Sequence, residues 1–211
     1  MADNNVSDAN ADSMSVEDRK RRRFLTGMTA GFGAVGVGAA AVPFVLSMSP
    51  SERAKNAGAP VQYDFSKIQE GQLVKVEWRG KPVVLLKRTS EMMAGLDAIK
   101  GSLADPSSES SIQPSYAQND GRADAAKPEL LVMEGVCTHL GCSPVEKLAI
   151  GPDPQMGDDS QGGFFCPCHG SKFDLSGRVY KDVPATTNMP VPPYKFEGNV
   201  ITIGEDDGRT A

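Results

Sequence analysis

The sequence predicts an all-β, antiparallel domain carrying an inserted helix and loop, preceded by one N-terminal transmembrane helix. Short alternating or apolar stretches recur between Gly- and Pro-containing turns after position 60. Ser90 to Lys100 shows helical apolar spacing instead, and no charged residue occurs from Phe24 to Pro50. At 211 residues there is room for about one domain plus appendages. With 23% charged and 39% hydrophobic residues the composition is that of a folded protein. The net charge of −5 argues against nucleic acid as a partner.

The apolar run FLTGMTAGFGAVGVGAAAVPFVLSMSP is long enough to cross a bilayer, which takes roughly 20 helical residues. It exceeds the apolar core of a cleaved secretory signal, roughly 7 to 15 residues, so it is read as a retained anchor over 24–50. The basic block RKRRRF precedes it, which puts residues 1–23 in the cytoplasm and everything after Pro50 outside, in a bacterium the periplasm. Arg21, Arg22 and Arg23, followed by Phe24 and Leu25, resemble a twin-arginine export signal, a route that carries folded proteins. The expected location is a bacterial inner membrane, crossed once.

SERAKNAGAP, residues 51–60, has linker composition, and Ser51, Ala54, Ala57 and Gly58 are read as a flexible hinge. The outer domain spans 61–211. Val74, Val76 and Trp78 alternate with Lys75, Glu77 and Arg79, and Arg79-Gly80 turns into the apolar run Val83 to Leu86, which predicts a hairpin. Further strands are expected at Leu130 to Met133, at Phe164-Phe165, and at Lys172 to Asp174 with Val179-Tyr180 across Ser176-Gly177. A last pair is Lys195-Phe196 with Val200 to Ile203 across Gly198-Asn199. The helix from Ser90 and the Ser-, Pro- and Asp-rich residues 101–128 read as an insertion on the surface. No internal repeat is evident.

The chemistry is concentrated in two short stretches. The chain has four Cys and two His, and all six lie in CTHLGC (Cys137, His139, Cys142) and CPCHGSKFD (Cys166, Cys168, His169). Each stretch directly follows a predicted strand, so both are expected as loops at two tips of one sheet system, where irregular backbone can wrap a cofactor. Zinc sites favour C-x₂₋₄-C with H-x₃₋₅-H spacing, which the two stretches together fit poorly: CPCH offers only C-x-C, and the two His lie 30 residues apart.

The pair of motifs resembles the Rieske iron-sulfur proteins, whose pattern CxHxGC followed by CPCHGSxF/YD is matched residue for residue. With the anchor, the hinge and the late loop DVPATTN, the resemblance extends over nearly the whole chain to the Rieske subunit of ubiquinol:cytochrome c reductase. It implies one [2Fe–2S] cluster per chain in a subdomain of about 132–185. Cys137 and Cys166 would bind one iron, His139 and His169 the other, and Cys142 and Cys168 would form a disulfide. Two imidazoles in place of two thiolates make the oxidised cluster less negative by about two charges, which raises its potential. A disulfide suits a domain outside the cytoplasm.

The resemblance further implies an electron-transfer role. His139 and His169 would contact ubiquinol and take an electron with its proton at a site shared with a cytochrome b subunit, and the electron would pass to a c-type cytochrome. The whole would be a dimeric, proton-translocating, membrane-embedded enzyme. Leu140 and Pro184 would form docking surfaces, while Ser171 and Phe173 would tune the cluster, Phe173 replacing a tyrosine found in high-potential members. Two other functions share the motifs: the Rieske small subunit of a periplasmic molybdenum oxidase, such as an arsenite oxidase, and a soluble Rieske ferredoxin of an oxygenase. The anchor and the Cys142/Cys168 pair count against the second.

Overall fold

The computed structural model describes residues 15–51 and 58–208, and the chain divides into two compact units, 1–53 and 54–211. The expected hinge positions Ala54 and Ala57 lie outside the described residues, whereas Ser51 and Gly58 are exposed.

Among the described residues the first unit contains one helix, α1 (Val16–Ser47), 32 residues long and without a buried side chain. Ser15 caps it by accepting the Asp18 N–H at 3.2 Å, and Glu17 and Asp18 complement the positive end of its dipole. The helix starts well before the apolar run and ends short of Pro50. At 1.5 Å per residue it extends roughly 48 Å, more than a hydrocarbon core of about 30 Å, so its basic first turns need not enter lipid. Its apolar portion is long and hydropathic enough to span, and Pro43 lies inside it.

Among the described residues the second unit holds nine strands in three three-stranded sheets, each antiparallel throughout. β1 (Val61–Asp64), β9 (Val200–Ile203) and β8 (Tyr194–Glu197) form one. β2 (Leu73–Trp78), β3 (Lys81–Lys87) and β4 (Leu130–Glu134) form the second, and β5 (Val145–Lys147), β6 (Gly163–Phe165) and β7 (Lys172–Phe173) the third. The β2–β3 turn is Arg79-Gly80, with φ of 52° and 72°, the left-handed pair whose twist suits a two-residue hairpin.

The continuous apolar run in β3 reflects burial on both faces. Val84 and Leu86, with Leu131 and Met133 of β4, face a core completed by Phe164, Phe173, Leu175 and Met189. Val83 and Leu85, with Leu130 and Val132, face a second core containing Trp78, Tyr194, Ile201 and Ile203. Successive residues of a strand point to opposite faces, so the β2–β3–β4 sheet divides the two cores. Each such aliphatic side chain contributes about 1.5–3 kcal/mol by leaving water.

The structure departs from the sequence reading in several places. β1 and β5 went unrecognised as strands. β1 pairs with β9, the far end of the chain, and β5 is too short and exposed to show alternation. The inserted helix, α2 (Ser90–Ala98), is capped by Thr89, whose side chain accepts the Met92 N–H. The insertion is not a surface appendage either: Ser108, Ala117, Arg122, Ala123 and Asp124 are buried. Finally, β4 and β6 belong to different sheets, so the two Cys/His loops arise from two sheet systems rather than one.

Candidate metal centre

CTHLGC leaves β4, and CPCHGS joins β6 to β7. Cys137 N–H donates to Cys142 O at 2.8 Å and Gly141 N–H to Cys137 O at 3.0 Å. Cys166 N–H donates to Ser171 O at 2.8 Å and Gly170 N–H to Cys166 O at 2.9 Å. The offsets along the chain are identical, so the loops are one backbone turn used twice, a local repeat that the residue types conceal. Gly141 and Gly170 stand at matching positions with φ of 82° and 79°, where a Cβ would be strained. The unequal spacings C-x-H and C-x-x-H are therefore two choices of position on one turn.

The turns bring their side chains together in pairs. Cys137 and Cys166, 2% and 1% exposed, are free thiols, and their sulfurs interact. The His139 and His169 rings meet edge to face with centroids 4.8 Å apart. His139 is half-buried and its Nδ1 is buried with no hydrogen-bond partner, whereas His169 is exposed. Cys142 and Cys168 form a disulfide closing the two loops on each other, with Cα atoms 6.7 Å apart. Burial pushes the Cys137 thiol above its ordinary value. The His139 backbone N–H and the Ser171 hydroxyl nearby oppose that rise, and Cys166 adds to it.

These donors fit a dinuclear cluster better than a single ion. Around one zinc, four donors lie within about 4 Å of each other. Among the described residues the group converging within 4.8 Å is instead Cys142, Cys166 and Cys168, two of which are spent in the disulfide. That leaves a thiol pair and an imidazole pair as separate ends, one imidazole carrying a buried nitrogen with nothing to bond. Two sulfur and two nitrogen donors in this division match the ligation of a mixed-ligand [2Fe–2S] centre.

The surroundings are rigid. Phe173 is fully buried opposite Phe164. Ser171 Oγ accepts the Ala185 N–H at 3.0 Å, and Thr138 Oγ1 donates to Thr187 O at 2.7 Å. Immediately after the second loop, the Asp174 carboxylate accepts from Ser176 N–H, Arg178 N–H and Arg178 Nε. Arg178 also donates to Leu96 O and Pro106 O, Arg122 to Met189 O, and Arg88 to Ser176 Oγ and Gly121 O. Burial pulls the Arg88 and Arg122 guanidinium groups down to about 10, opposed first by the charge of Asp174. These side chains stitch the insertion to the turn behind the cluster loops. No motif marked Thr138 or the arginines for this role, and Ala185 acts through its backbone, which leaves no trace in residue type. At the tip, Leu140 is 71% exposed, and Pro184 is exposed as well.

Residues 113–195 match the family described as Rieske [2Fe-2S] domain, and residues 12–51 match the Fe-S subunit TAT signal of ubiquinol-cytochrome c reductase. The ubiquinol-cytochrome c reductase iron-sulfur subunit of Allochromatium vinosum is 52% identical over 192 residues, covering 90% of this chain and 91% of that one. The chain belongs to this family of Rieske iron-sulfur subunits. The corresponding subunit of Blastochloris viridis is 44% identical over 194 residues, 91% of this chain and 97% of the relative. A chain of a solved hyperthermophilic respiratory Complex III is 26% identical, with a TM-score of 0.44 over 82% of this chain and 98% of that one. As a Rieske subunit the chain carries a [2Fe–2S] cluster and transfers electrons through it. The export signal and the apolar α1 make it a membrane-anchored protein with an exported Rieske domain.

Proposed function

We propose that this Rieske subunit oxidises ubiquinol and reduces a c-type cytochrome within a dimeric, proton-translocating complex that also contains a cytochrome b subunit. Cys137 and Cys166 hold one iron, and His139 and His169 hold the other. The observation that carries the reading is the division of the site into a buried thiol pair and an imidazole pair whose outer member, His169, is exposed. Bound there, the cluster accepts and returns one electron at a time.

The chain's own residues do the rest. The buried, unpartnered Nδ1 of His139 is the nitrogen suited to a metal, which leaves the other ring nitrogen facing outward. His169, the more exposed, accepts the quinol hydroxyl's hydrogen bond and holds its proton as the electron leaves. Leu140 and Pro184 present apolar surface beside that histidine and exclude water where the partner docks. The Cys142–Cys168 disulfide fixes the two turns against each other, so the donors are in place before the metal is held.

Residues 24–50 serve as a single-pass anchor in a bacterial inner membrane, with 1–23 cytoplasmic and the Rieske domain 61–211 in the periplasm. Within that domain the cluster occupies about 132–185, and 51–60 is the hinge that lets the head travel between quinol and cytochrome. Purification from native membranes tests the reading. Cytochromes b and c should accompany the chain, and the reduced protein should show the low-average-g paramagnetic signal of a His/Cys-ligated [2Fe–2S] centre. A molybdenum subunit in their place would assign the chain to the oxidase reading.

A further inference from the structure

The first turns of α1 carry more cations than an export signal uses. The Arg-Arg pair followed one residue later by Phe-Leu is Arg21-Arg22, which leaves Arg19, Lys20 and Arg23 over. The helix does not spread these charges evenly. Arg19, Arg22, Arg23 and Thr26 line one concave surface, because spacings of three, four and seven residues share a helix face, whereas Arg21 falls on the opposite side. All four are exposed. The nearest acids lie off that face: Asp18 is turned back to the cap, where its carboxylate accepts from Ser15 Oγ at 2.8 Å.

Depth and polarity together say what fits there. From Arg19 to Arg23 the helix rises roughly 6 Å, which matches a headgroup layer roughly 5 to 8 Å thick on each side of the hydrocarbon core. The uncharged run starts at the next residue, Phe24. Beyond the arginines the same face continues through Thr26, Ala30, Gly33 and Val37, all exposed, a low and mainly apolar track on which an acyl chain can lie. Guanidinium groups at the headgroup level with an apolar track directly beneath them complement an anion joined to a hydrocarbon chain. A free phosphate would use only the upper half.

We propose that the Arg19, Arg22 and Arg23 face of α1 binds an anionic phospholipid, its phosphodiester held among the guanidinium groups and one acyl chain lying along Ala30, Gly33 and Val37. The inference rests on the reading of residues 24–50 as a retained membrane span. The bound lipid fixes the depth and rotation of the helix in its leaflet.

The test uses the full-length, cluster-loaded chain in mild detergent, with bound lipid counted by native mass spectrometry after addition of phosphatidylglycerol or phosphatidylcholine. The anionic lipid should be retained about tenfold more strongly than the zwitterionic one. That preference should collapse in Arg19→Gln with Arg23→Gln, which keeps the Arg21-Arg22 pair for export, and most of it should return in Arg19→Lys with Arg23→Lys. Equal retention of the two lipids in the parent, or a preference unchanged in the Gln variant, overturns the proposal. Inorganic phosphate should leave the lipid in place; its displacement would mark a free-anion site and overturn the lipid assignment. Failure of the span reading is distinguishable, because an intact mass lacking residues 1–47 in protein from native membranes would show a cleaved signal and remove the site with it.

Discussion

Asp174 and Arg178 meet at 2.7 Å with both side chains fully buried, directly behind the second ligand loop. The carboxylate also accepts two backbone N–H groups, and the guanidinium reaches the Leu96 carbonyl in α2 and the Pro106 carbonyl in the loop that follows it. Removing one partner of such a pair leaves the other charged and dry, at a cost of about 3–5 kcal/mol. Asp174→Asn should therefore lower the urea midpoint sharply. Asp174→Asn with Arg178→Met should cost less than the sum of the single changes. Strict additivity in chemical denaturation would show that the pair is not coupled.

The ligand set predicts a sharp division among the four cysteines and two histidines. Cys137→Ser, His139→Ala, Cys166→Ser and His169→Ala should each abolish the mixed-ligand paramagnetic signal. A stoichiometric zinc content without iron in freshly isolated parent protein would refute the assignment.

For the disulfide, intact mass and alkylation provide the check. Cys142 and Cys168 should resist alkylation until reduced, and their double replacement by Ser should destabilise the domain by about 3–4 kcal/mol in the loop-entropy account. Both cysteines alkylating without reductant would contradict the bond.

Phe173 is fully buried, with no hydroxyl to offer the cluster. Phe173→Tyr should raise the midpoint in voltammetry if the new hydroxyl reaches a ligand sulfur. A hydroxyl left unpaired in this core costs about 1–3 kcal/mol instead. A stability loss with an unchanged midpoint would exclude this position as a tuning site.

Turnover tests the hinge. Replacing residues 54–57 by prolines should slow quinol oxidation in the assembled complex while leaving the cluster signal intact, because the head can no longer travel. Unchanged turnover would favour a fixed head.

Those predictions draw unequally on what the residues disclosed and what the fold added. CTHLGC and CPCHGSKFD named the cluster, because metal ligation depends on residue types at short spacing and few other arrangements put so many soft donors together. The long apolar helix was legible for the same kind of reason: lipid tolerates a long uncharged helix, and length and composition can be read directly from the residues. The hairpins at Arg79-Gly80 and Gly198-Asn199 were legible too, since a two-residue turn depends on local backbone preference.

Tertiary structure decided the rest. Whether Val83 to Leu86 faced one core or two depended on which strands covered it. Nothing in residue type marks Arg88, Arg122 and Arg178 as buried, but the fold surrounds them with carbonyls, and residues 101–128 read as a surface insertion until those arginines drew it inward. The Ser171–Ala185 contact joins residues whose meeting depends on the path of the intervening chain. The sequence by itself determined the cofactor and the long apolar helix, because both follow from residue types close together in the chain. Only the tertiary structure decided which histidine is exposed, which polar groups are buried and what holds the ligand loops, because burial and long-range hydrogen bonds are properties of neighbours far apart in sequence.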